Sequence, residues 1–434
     1  MTLKYNFMIW KFIFQLGVKF RNKKINKHYN FLKSTEEWSI KELEDRQLYL
    51  LKKLLSYAYN NSRFYKKKLD EVNMNVDSIN SLGDLKQIPV LTKEELKEFS
   101  KQHQIRDKSL GPYFKSETSG STGIPLLFWR NSDWDASHRA AIFRGYSWYG
   151  VKPWEQNGYF WGFNFNYVNR IKTKVLDLLQ NRFRVFSYSD HEIDRFVSKL
   201  KNANYIEGYS SMIYEVARII NKKGIKLKNE IKLIKGTSET IFENYHEESL
   251  KAFGKKITSE YGAAEAGIIA FECPKGSMHI SMENVIVEVL DYKILVTNLH
   301  SYSFPIIRYE LGDYIKVNKQ IKCKCGMNHH VIEDVIGRVG SVIKGIKNNY
   351  PSLVLYYVAK NLILNHNIKI NYQAIQSIQG ELLFQIEKIL NKKDEKTLLN
   401  EFYKYFKDDV IVEIKTGVKF NIEGKKRKDF ISEL

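Results

Sequence analysis

The chain has 434 residues, more than one ordinary hydrophobic core holds, so we expect two or three domains. With 43% hydrophobic and 14% aromatic residues, its composition excludes an intrinsically disordered protein. The net charge is +20, but no zinc-finger spacing, basic zipper or single-strand-binding motif accompanies it, so we expect no nucleic-acid partner. Three cysteines argue against a disulfide framework and favour a cytoplasmic protein, and no apolar run reaches the roughly 18 residues of a spanning helix.

Residues 1–35 form an apolar and basic segment that we expect to be helical. In YNFMIWKFIFQLGVKF, polar side chains recur every four residues, at Lys11, Gln15 and Lys19. They leave a broad apolar face formed by Phe7, Trp10, Phe14 and Val18. Such a helix lies in the interface of an anionic membrane or packs on the large domain, and the sequence supports both alternatives about equally.

The rest of the chain divides into two segments of different character. Residues 36–72 are predicted to be helical, and from 116 to 337 short β-rich runs alternate with helical ones. VIVEVLDYKILVTNL predicts a β-hairpin with Asp291 and Tyr292 near its turn. After about Val339 the predicted order is helix, strand, strand, helix, strand, which suits a small independent unit. We therefore predict an α/β fold with a large multi-layer domain of mixed sheets at 36–338 and a small α+β domain at 339–434.

The stretch SETSGSTGIP, residues 116–125, combines five hydroxyl side chains with two glycines. Glycine lets the backbone approach a ligand closely, and free amides together with Ser and Thr hydroxyls bind phosphate oxygens. The sequence therefore predicts a phosphate-binding loop, with a flexible surface turn as the alternative. No GK[ST] follows, so the loop is not that of a P-loop kinase.

Four further short motifs follow this loop in order along the chain. YGAAE contains Tyr261 and Glu265, RYELGD ends at Asp313, GRVGS contains Arg338, and EGK ends at Lys425. Each motif alone predicts only a turn. In this order, and with TSGSTGIP before them, they resemble the adenylate-forming ligase superfamily, which activates carboxylates as acyl-AMP. The segments GTSE, GYSS, VTNL and CKCG further resemble its phenylacetate–CoA ligase-like branch, which includes the CapK proteins of capsule biosynthesis.

This resemblance implies a large adenylation domain at 36–338 and a small, mobile lid domain at 339–434. The loop at 118–123 would cradle the phosphates of ATP, Tyr261 would stack on adenine, and Asp313 would accept hydrogen bonds from both ribose hydroxyls. The residues that the resemblance assigns to nucleotide binding are Thr118, Ser119, Gly120, Ser121, Thr122, Gly123, Ser238, Glu239, Tyr261, Gly262, Asp313 and Arg338.

Two residues are assigned to catalysis by the same resemblance. Glu265 would bind the Mg²⁺ ion that neutralises phosphate charge. Lys425 would lie between the substrate carboxylate and the α-phosphate, where it stabilises developing charge. Relatives carry Ser-Gly-Lys where this chain has EGKK, so Lys426 is an alternative. Relatives also carry an Asp soon after the arginine of the hinge motif, whereas Gly340 and Ser341 stand here.

The acid pocket is expected in the segments FWGFNFN, GYSS and GAA. Its predicted lining residues are Trp161, Phe163, Tyr209 and Ala263. The alternative is that these side chains pack in the core, as aromatic residues more often do.

All three cysteines and one histidine fall into two short clusters, Cys273 with His279 and Cys323 with Cys325. Three thiolates and one imidazole suit a tetrahedral structural zinc ion, and similar clusters occur in this ligase branch. The alternative is three buried thiols and an ordinary histidine. The Cys-X-Cys spacing is closer than the common two-residue spacing.

Together these features predict an enzyme, an adenylate-forming ligase of the AMP-forming, acid–CoA type. ATP, Mg²⁺ and a carboxylic acid would give acyl-AMP and pyrophosphate, and the acyl group would pass to coenzyme A or a sugar precursor. The alternative is a non-catalytic nucleotide-binding homologue, which the altered hinge motif favours. We expect a cytoplasmic location, with peripheral contact at the inner face of the membrane as a further expectation.

Overall fold

The computed structural model describes residues 2–102, 104–118, 126–160, 167–185, 190–227, 229–238, 241, 243–290, 293–335, 342–368, 370, 372–386, 388–418 and 430–434. The fold is mixed α/β and divides into two compact units. The larger unit consists of Met1–Ser116 and Phe128–Arg338, and the smaller of Glu117–Leu127 and Val339–Leu434. Within the described residues, no helix is long and apolar enough to cross a membrane.

Helices of the larger unit precede and connect its strands. In chain order, helices α1–α10 lie at Thr2–Asn22, Lys24–Ser34, Ile40–Asn61, Arg63–Asp70, Lys93–Gln102, Ser132–Trp148, Tyr167–Leu179, Asp190–Leu200, Ser210–Lys222 and Glu243–Phe253. Short 3₁₀ turns lie at Val76–Ser78, Leu82–Gln87 and Lys108–Leu110.

Strands β1 and β2, at Phe114–Glu117 and Leu127–Arg130, pair with each other. The strands of the large sheet, β3–β13, lie at Asn157–Phe160, Arg182–Arg184, Tyr205–Tyr209, Leu233–Thr237, Thr258–Ala263, Gly267–Glu272, Met278–Ile280, Val285–Leu290, Lys293–Asn298, Tyr309–Asn318 and Val331–Val335.

The large sheet has 11 strands in the order β10-β11-β12-β13-β9-β8-β7-β6-β5-β3-β4. Strands β3 to β7 pair in parallel, with helices α7–α10 as crossovers, and from β7 onward the pairs are antiparallel. Sheets of this kind bind ligands beyond the carboxyl ends of their parallel strands. The hairpin predicted in VIVEVLDYKILVTNL is confirmed, since β10 pairs with β11 up to Leu290 opposite Lys293. Asp291 and Tyr292 lie outside the described residues.

The segment predicted to be helical at 36–72 forms two helices, and the break has a local cause. Ser39 begins α3 with a capping box, in which its side chain accepts from the Glu42 amide and Glu42 accepts from the Ser39 amide. Ser62 is extended, and its hydroxyl accepts from the Tyr65 amide at 3.3 Å. Because this hydroxyl caps α4, the chain starts a new helix there instead of continuing α3.

The apolar face predicted for the N-terminal segment lies against the protein. Phe14 of α1 packs against Phe143 and Trp154, with ring centroids 5.5 and 5.7 Å apart, and Val18 is buried. Trp10 is half-buried, and the Phe7 side chain lies outside the described residues. This face therefore packs on the rest of the larger unit, which is the second of the two alternatives predicted for it.

The smaller unit has a core of its own. Strands β14–β19 lie at Val342–Lys344, Asn349–Pro351, Tyr372–Gln376, Glu381–Ile386, Ile411–Lys415 and Phe430–Ser432. Four of them form a sheet in the order β18-β17-β16-β19, and helices α11 and α12 lie at Leu353–His366 and Lys392–Phe406. Buried side chains of both helices, such as Leu362 and Phe402, pack with Phe384 of the sheet. The predicted order of helix, strand, strand, helix and strand is confirmed for α11, β16, β17, α12 and β18, while the short strands β14, β15 and β19 were not predicted.

Candidate active site

Several of the predicted site residues meet at the carboxyl ends of three neighbouring parallel strands. Tyr209 of β5 is opposite Thr237 of β6, and Thr237 is opposite Glu260 of β7. Ser238 and Tyr261 follow these positions directly. The strand register therefore brings the GYSS, GTSE and YGAAE motifs to one edge of the sheet, where α/β folds place their ligands.

Two glycines let the backbone of this edge pack closely. A Cβ atom on Gly236 would lie 2.6 Å from the Ser210 hydroxyl oxygen, and one on Gly262 would lie 2.5 Å from the Gly267 carbonyl oxygen. Both distances are shorter than van der Waals contact, so a larger residue would displace the Ser210 side chain at Gly236 and the backbone of Gly267 at Gly262. Ser238 has a φ of 69°, a left-handed conformation that is uncommon outside glycine.

Tyr261 and Asp313 are brought together although 52 residues separate them. The Tyr261 hydroxyl donates a hydrogen bond of 3.0 Å to the Asp313 carboxylate. Asp313 lies on β12 directly after Gly312, which has a φ of 81°. Both side chains are half-buried. A planar ring beside an acceptor carboxylate is an arrangement that can hold a nucleoside by its base and its ribose hydroxyls.

Glu265 lies at the tip between β7 and β8, and its neighbours fix that tip. The Asn298 side-chain amide donates to the carbonyls of Glu265 and Ala266, at 3.1 Å each. Arg130 donates to the Ala264 carbonyl at 2.6 Å. The Tyr309 hydroxyl lies 3.5 Å from the Glu265 carboxylate, which is almost fully buried. The Asn298 and Arg130 contacts fix the backbone of the turn that carries the Glu265 carboxylate, a second layer of support of the kind that cation ligands have.

Sequence analysis missed Asn298, Arg130 and Tyr309, although each lies beside a predicted motif. Asn298 belongs to the VTNL segment, Tyr309 begins the YELGD part of the ribose motif, and Arg130 follows the hydroxyl-rich loop by a few residues. Their position next to the motifs was the available signal. Their role became visible only with the contacts, because residues from three distant segments converge on one turn.

A buried ion-pair network lies two residues before the ends of β5 and β6. Lys235 of β6 is 3.1 Å from both Glu207 of β5 and Glu260 of β7, and Glu207 also pairs with Arg182. The Tyr146 hydroxyl donates to Glu207 as well. Burial alone would lower the pKa of Lys235, but Glu260 and Glu207 outweigh burial and raise it. Lys235 therefore stays charged and joins β5, β6 and β7 below the candidate site.

The two Cys/His clusters form one group. Ligand atoms of Cys273, His279, Cys323 and Cys325 all lie within 4.8 Å of one another. The Sγ atoms of Cys273 and Cys323 are 3.6 Å apart, and Cys325 Sγ is 3.1 Å from His279 Nε2. In a tetrahedral zinc site, thiolate sulfurs lie about 3.8 Å apart. The donor set and its dimensions thus fit a zinc ion.

The surroundings of this group support metal binding. His279 Nδ1 is 3.3 Å from the His329 carbonyl, so the ring directs Nε2 at the thiols. Burial lowers the pKa of His279 to about 4, which keeps its imidazole neutral. The Cys325 amide donates to Cys323 Sγ at 3.5 Å, an interaction that the Cys-X-Cys spacing permits. Cys273 follows the end of β8 that is remote from the Glu265 tip, about 20 Å away along the strand.

The other predicted site residues have different positions. The Thr118 hydroxyl accepts from the Leu126 amide, and the Thr118 amide donates to the Leu126 carbonyl, both at 3.0 Å. Tyr209 is half-buried against the core of α8–α10, and Ala263 pairs with Gly267 beside the tip. The predicted residues outside the described part of the chain are Ser119, Gly120, Ser121, Thr122, Gly123, Trp161, Phe163, Glu239, Arg338 and Lys425, together with the alternative Lys426.

No protein-family model matches the chain. Protein CapK of Staphylococcus aureus is 23% identical over 372 residues, which cover 80% of this chain and 80% of CapK. A structure of 2-hydroxyisobutyryl-CoA ligase with 2-HIB-AMP and CoA in the thioesterification state has a TM-score of 0.64 at 18% identity. That alignment covers 92% of this chain and 91% of the ligase. An open conformation of the same ligase, also with 2-HIB-AMP and CoA, has a TM-score of 0.58 at 17% identity, covering 91% and 93%.

These similarities define the class of fold. The chain has the α/β fold of a ligase whose structures hold an acyl-adenylate, with a large unit and a small C-terminal unit. It also resembles CapK along most of its length. The predicted resemblance and the predicted fold class are confirmed.

Proposed function

We propose that the protein is an AMP-forming ligase that activates a carboxylic acid with ATP. The observation that carries this proposal is the contact of Tyr261 with Asp313, in the same unit as Glu265, whose turn is held by Asn298 and Arg130. The ligase with the same fold is described with 2-HIB-AMP and CoA, which supports acyl-AMP as the product of the first step. Pyrophosphate is released in that step.

Each described residue has a chemical task in this proposal. The Tyr261 ring stacks on adenine, and the Asp313 carboxylate accepts hydrogen bonds from the ribose hydroxyls. The hydrogen bond from the Tyr261 hydroxyl to Asp313 holds these two side chains beside each other. Glu265 is the residue that would hold Mg²⁺, since Asn298 and Arg130 fix its turn. When bound, Mg²⁺ neutralises phosphate charge. The loop at 118–123, Ser238, Glu239, Gly262 and Arg338 complete the proposed nucleotide contacts.

Lys425 supplies the positive charge for acyl activation in this proposal. A carboxylate and an α-phosphate repel each other as they approach, and an ammonium group reduces that repulsion. The acid itself is assigned to Trp161, Phe163, Tyr209 and Ala263. Half-buried Tyr209 at the end of β5 supports this assignment, because it stands at the same sheet edge as Tyr261.

The acceptor of the acyl group is coenzyme A or a sugar precursor. Coenzyme A is favoured by the ligase with the same fold, whose structures contain it. A sugar precursor is favoured by the similarity to CapK. We place both reactions in the cytoplasm, including the inner face of the membrane.

The Cys273, His279, Cys323 and Cys325 group holds one structural zinc ion in this proposal. It lies at the opposite end of β8 from the Glu265 tip, so it stabilises the fold rather than acting on the substrate.

Exchange of labelled pyrophosphate into ATP, run with a panel of aliphatic, aromatic and amino acids, tests the proposal. An acyl-adenylating enzyme gives exchange with at least one acid, and Asp313→Asn abolishes most of it. Glu310→Gln, on the same strand and paired with Lys293 at 3.3 Å, is the matched control and keeps full exchange. If nucleotide binds but no acid gives exchange, the protein is the non-catalytic homologue instead. Adding coenzyme A or an amino sugar to the productive acid then identifies the acceptor.

A further inference from the structure

The outward face of helix α1 is apolar, although its other face already packs on the larger unit. Five large apolar side chains lie on one side of α1 and are exposed to solvent: Met8, Ile9, Phe12, Leu16 and Phe20. Phe20 is 86% exposed and Phe12 is 65% exposed, values that are unusual for phenylalanine. Their spacing follows the helical period, so they form a continuous stripe.

The segment that carries this stripe has charged residues of one sign. Residues 1–35 contain no Asp or Glu but eight basic residues: Lys4, Lys11, Lys19, Arg21, Lys23, Lys24, Lys27 and Lys33. Arg21 and Lys24 form ion pairs with Asp135 and Asp133 of α6. Lys19, Lys23 and Lys27 are exposed, and they take part in none of the ion pairs formed by the described residues.

Lysines and apolar residues also meet in one groove on this face. The groove has a volume of about 270 Å³, and Phe12, Leu16, Lys19 and Lys23 are among the residues that line it. A lining that combines apolar side chains with lysines matches a lipid, whose acyl chain is apolar and whose headgroup carries phosphate.

Helix α7 continues the same pattern beside α1, which it contacts. Among its described side chains, the exposed large apolar residues are Ile171, Val175, Leu176, Leu178 and Leu179, and Lys172 and Lys174 between them are exposed as well. Asp177 is the one acidic residue in α7, and it is buried in a bidentate pair with Arg184. In the part of α7 whose side chains the structure describes, the exposed surface therefore combines apolar groups with positive charge and no negative charge.

We propose that the outward stripes of α1 and α7 form a docking surface for an anionic lipid bilayer. Apolar side chains enter the headgroup region, and the lysines bind lipid phosphates. A second copy of the chain fits less well, because two such faces would bring lysines of like charge together. The inference goes beyond acyl activation and does not depend on it.

Flotation of the full-length protein with vesicles tests this surface. Vesicles of phosphatidylcholine with about 30% phosphatidylglycerol should bind the protein, and pure phosphatidylcholine should bind it far less. The double variant Phe12→Asn/Phe20→Asn should bind the anionic vesicles about tenfold more weakly or less, since two apolar side chains no longer enter the bilayer. Both residues are exposed, so the fold is expected to tolerate the change. Lys19→Glu/Lys23→Glu should weaken binding by a similar factor, and added salt should weaken wild-type binding.

The matched control is Leu364→Asn/Ile389→Asn, which changes two residues that are 68% and 78% exposed in the smaller unit. This control should float with anionic vesicles like the wild type. The proposal is overturned if wild-type protein does not float, or if the Phe12/Phe20 variant floats as well as the wild type. It is also overturned if that variant only converts a dimer to a monomer, because the stripe is then a self-association surface. Pyrophosphate exchange of the same variant in solution reports separately on the ligase.

Discussion

The hydrogen bond between Tyr261 and Asp313 makes two separable tests of nucleotide binding possible. Asp313→Asn removes the negative charge of the carboxylate that accepts hydrogen bonds from the ribose hydroxyls, so we expect the KM for ATP to rise about tenfold or more. Tyr261→Phe keeps the ring and loses the 3.0 Å hydrogen bond, so we expect a rise of about two- to tenfold. Steady-state kinetics of pyrophosphate exchange measure both. An equal rise for Glu310→Gln would show that the effect is not specific to the site.

Lys425 is the residue whose removal should affect one half-reaction and spare the other. We expect Lys425→Ala to lower pyrophosphate exchange by about a hundredfold or more, the usual effect of removing one well-placed electrostatic group. Consumption of synthetic acyl-AMP by the acceptor should survive. Lys426→Ala is the control. If Lys426→Ala is the inactive variant, the motif assignment is displaced by one residue, and if both variants keep exchange the lysine assignment fails.

Single residues also show where sequence reasoning succeeds and where it stops. Tyr261, Asp313 and Glu265 carry recognisable local patterns, and the structure brings Tyr261 to Asp313. Lys235 carries no such pattern, because a lysine in LIKGT suggests a surface position and only its contacts with Glu207 and Glu260 explain its burial. Long-range pairing of charges is set by the sheet order, which the local sequence does not contain.

Whole elements were predicted better than the contacts between them. The β10–β11 hairpin forms as predicted, and so do α11, β16, β17, α12 and β18 of the smaller unit, because these elements have strong periodicity and clear turn residues. The short strands β14, β15 and β19 were not predicted. The break at Ser62 was missed because leucines continue the helical period across α3, whereas one hydroxyl decides the cap. In α1, periodicity found the face with Phe14 but not the outward stripe with Phe12, since both faces are apolar.

The Cys/His group in the β8–β9 hairpin and the loop before β13 predicts how removal of a metal ion affects the protein. The protein purified without chelator should contain about one zinc per chain, and Cys325→Ser should lose it. Because four ligands join two loops, we expect loss of the ion to lower the free energy of unfolding by about 3 kcal/mol or more. Elemental analysis and urea unfolding measure the two effects. Lys324→Ser, at the exposed position between the two cysteines, should retain the zinc, and a wild-type protein without zinc would end this assignment.

The net charge of the whole molecule lowers the stability of the folded state at acidic pH. The net charge is already +20 near neutral pH, and protonation of ten histidines would raise it further. Buried His300 and half-buried His330 resist that protonation in the folded state. Burial lowers the pKa of His300 to about 3, and burial together with Lys319 lowers that of His330 to about 4.

We therefore predict that stability falls as the pH falls from about 6.5 towards 4. In this window the unfolded chain binds protons at His300 and His330, whose ordinary pKa is 6.5, and the folded chain does not, so acid favours unfolding. Each such histidine contributes a slope of about 1.4 kcal/mol per pH unit once the pH is below 6.5. Urea unfolding at several pH values measures the slope, and His300→Gln should reduce it by about one histidine's share. If His300→Gln keeps the full wild-type slope, no proton is taken up at His300 on unfolding, and this prediction fails. It also fails if the stability of the wild type does not change between pH 7 and 5.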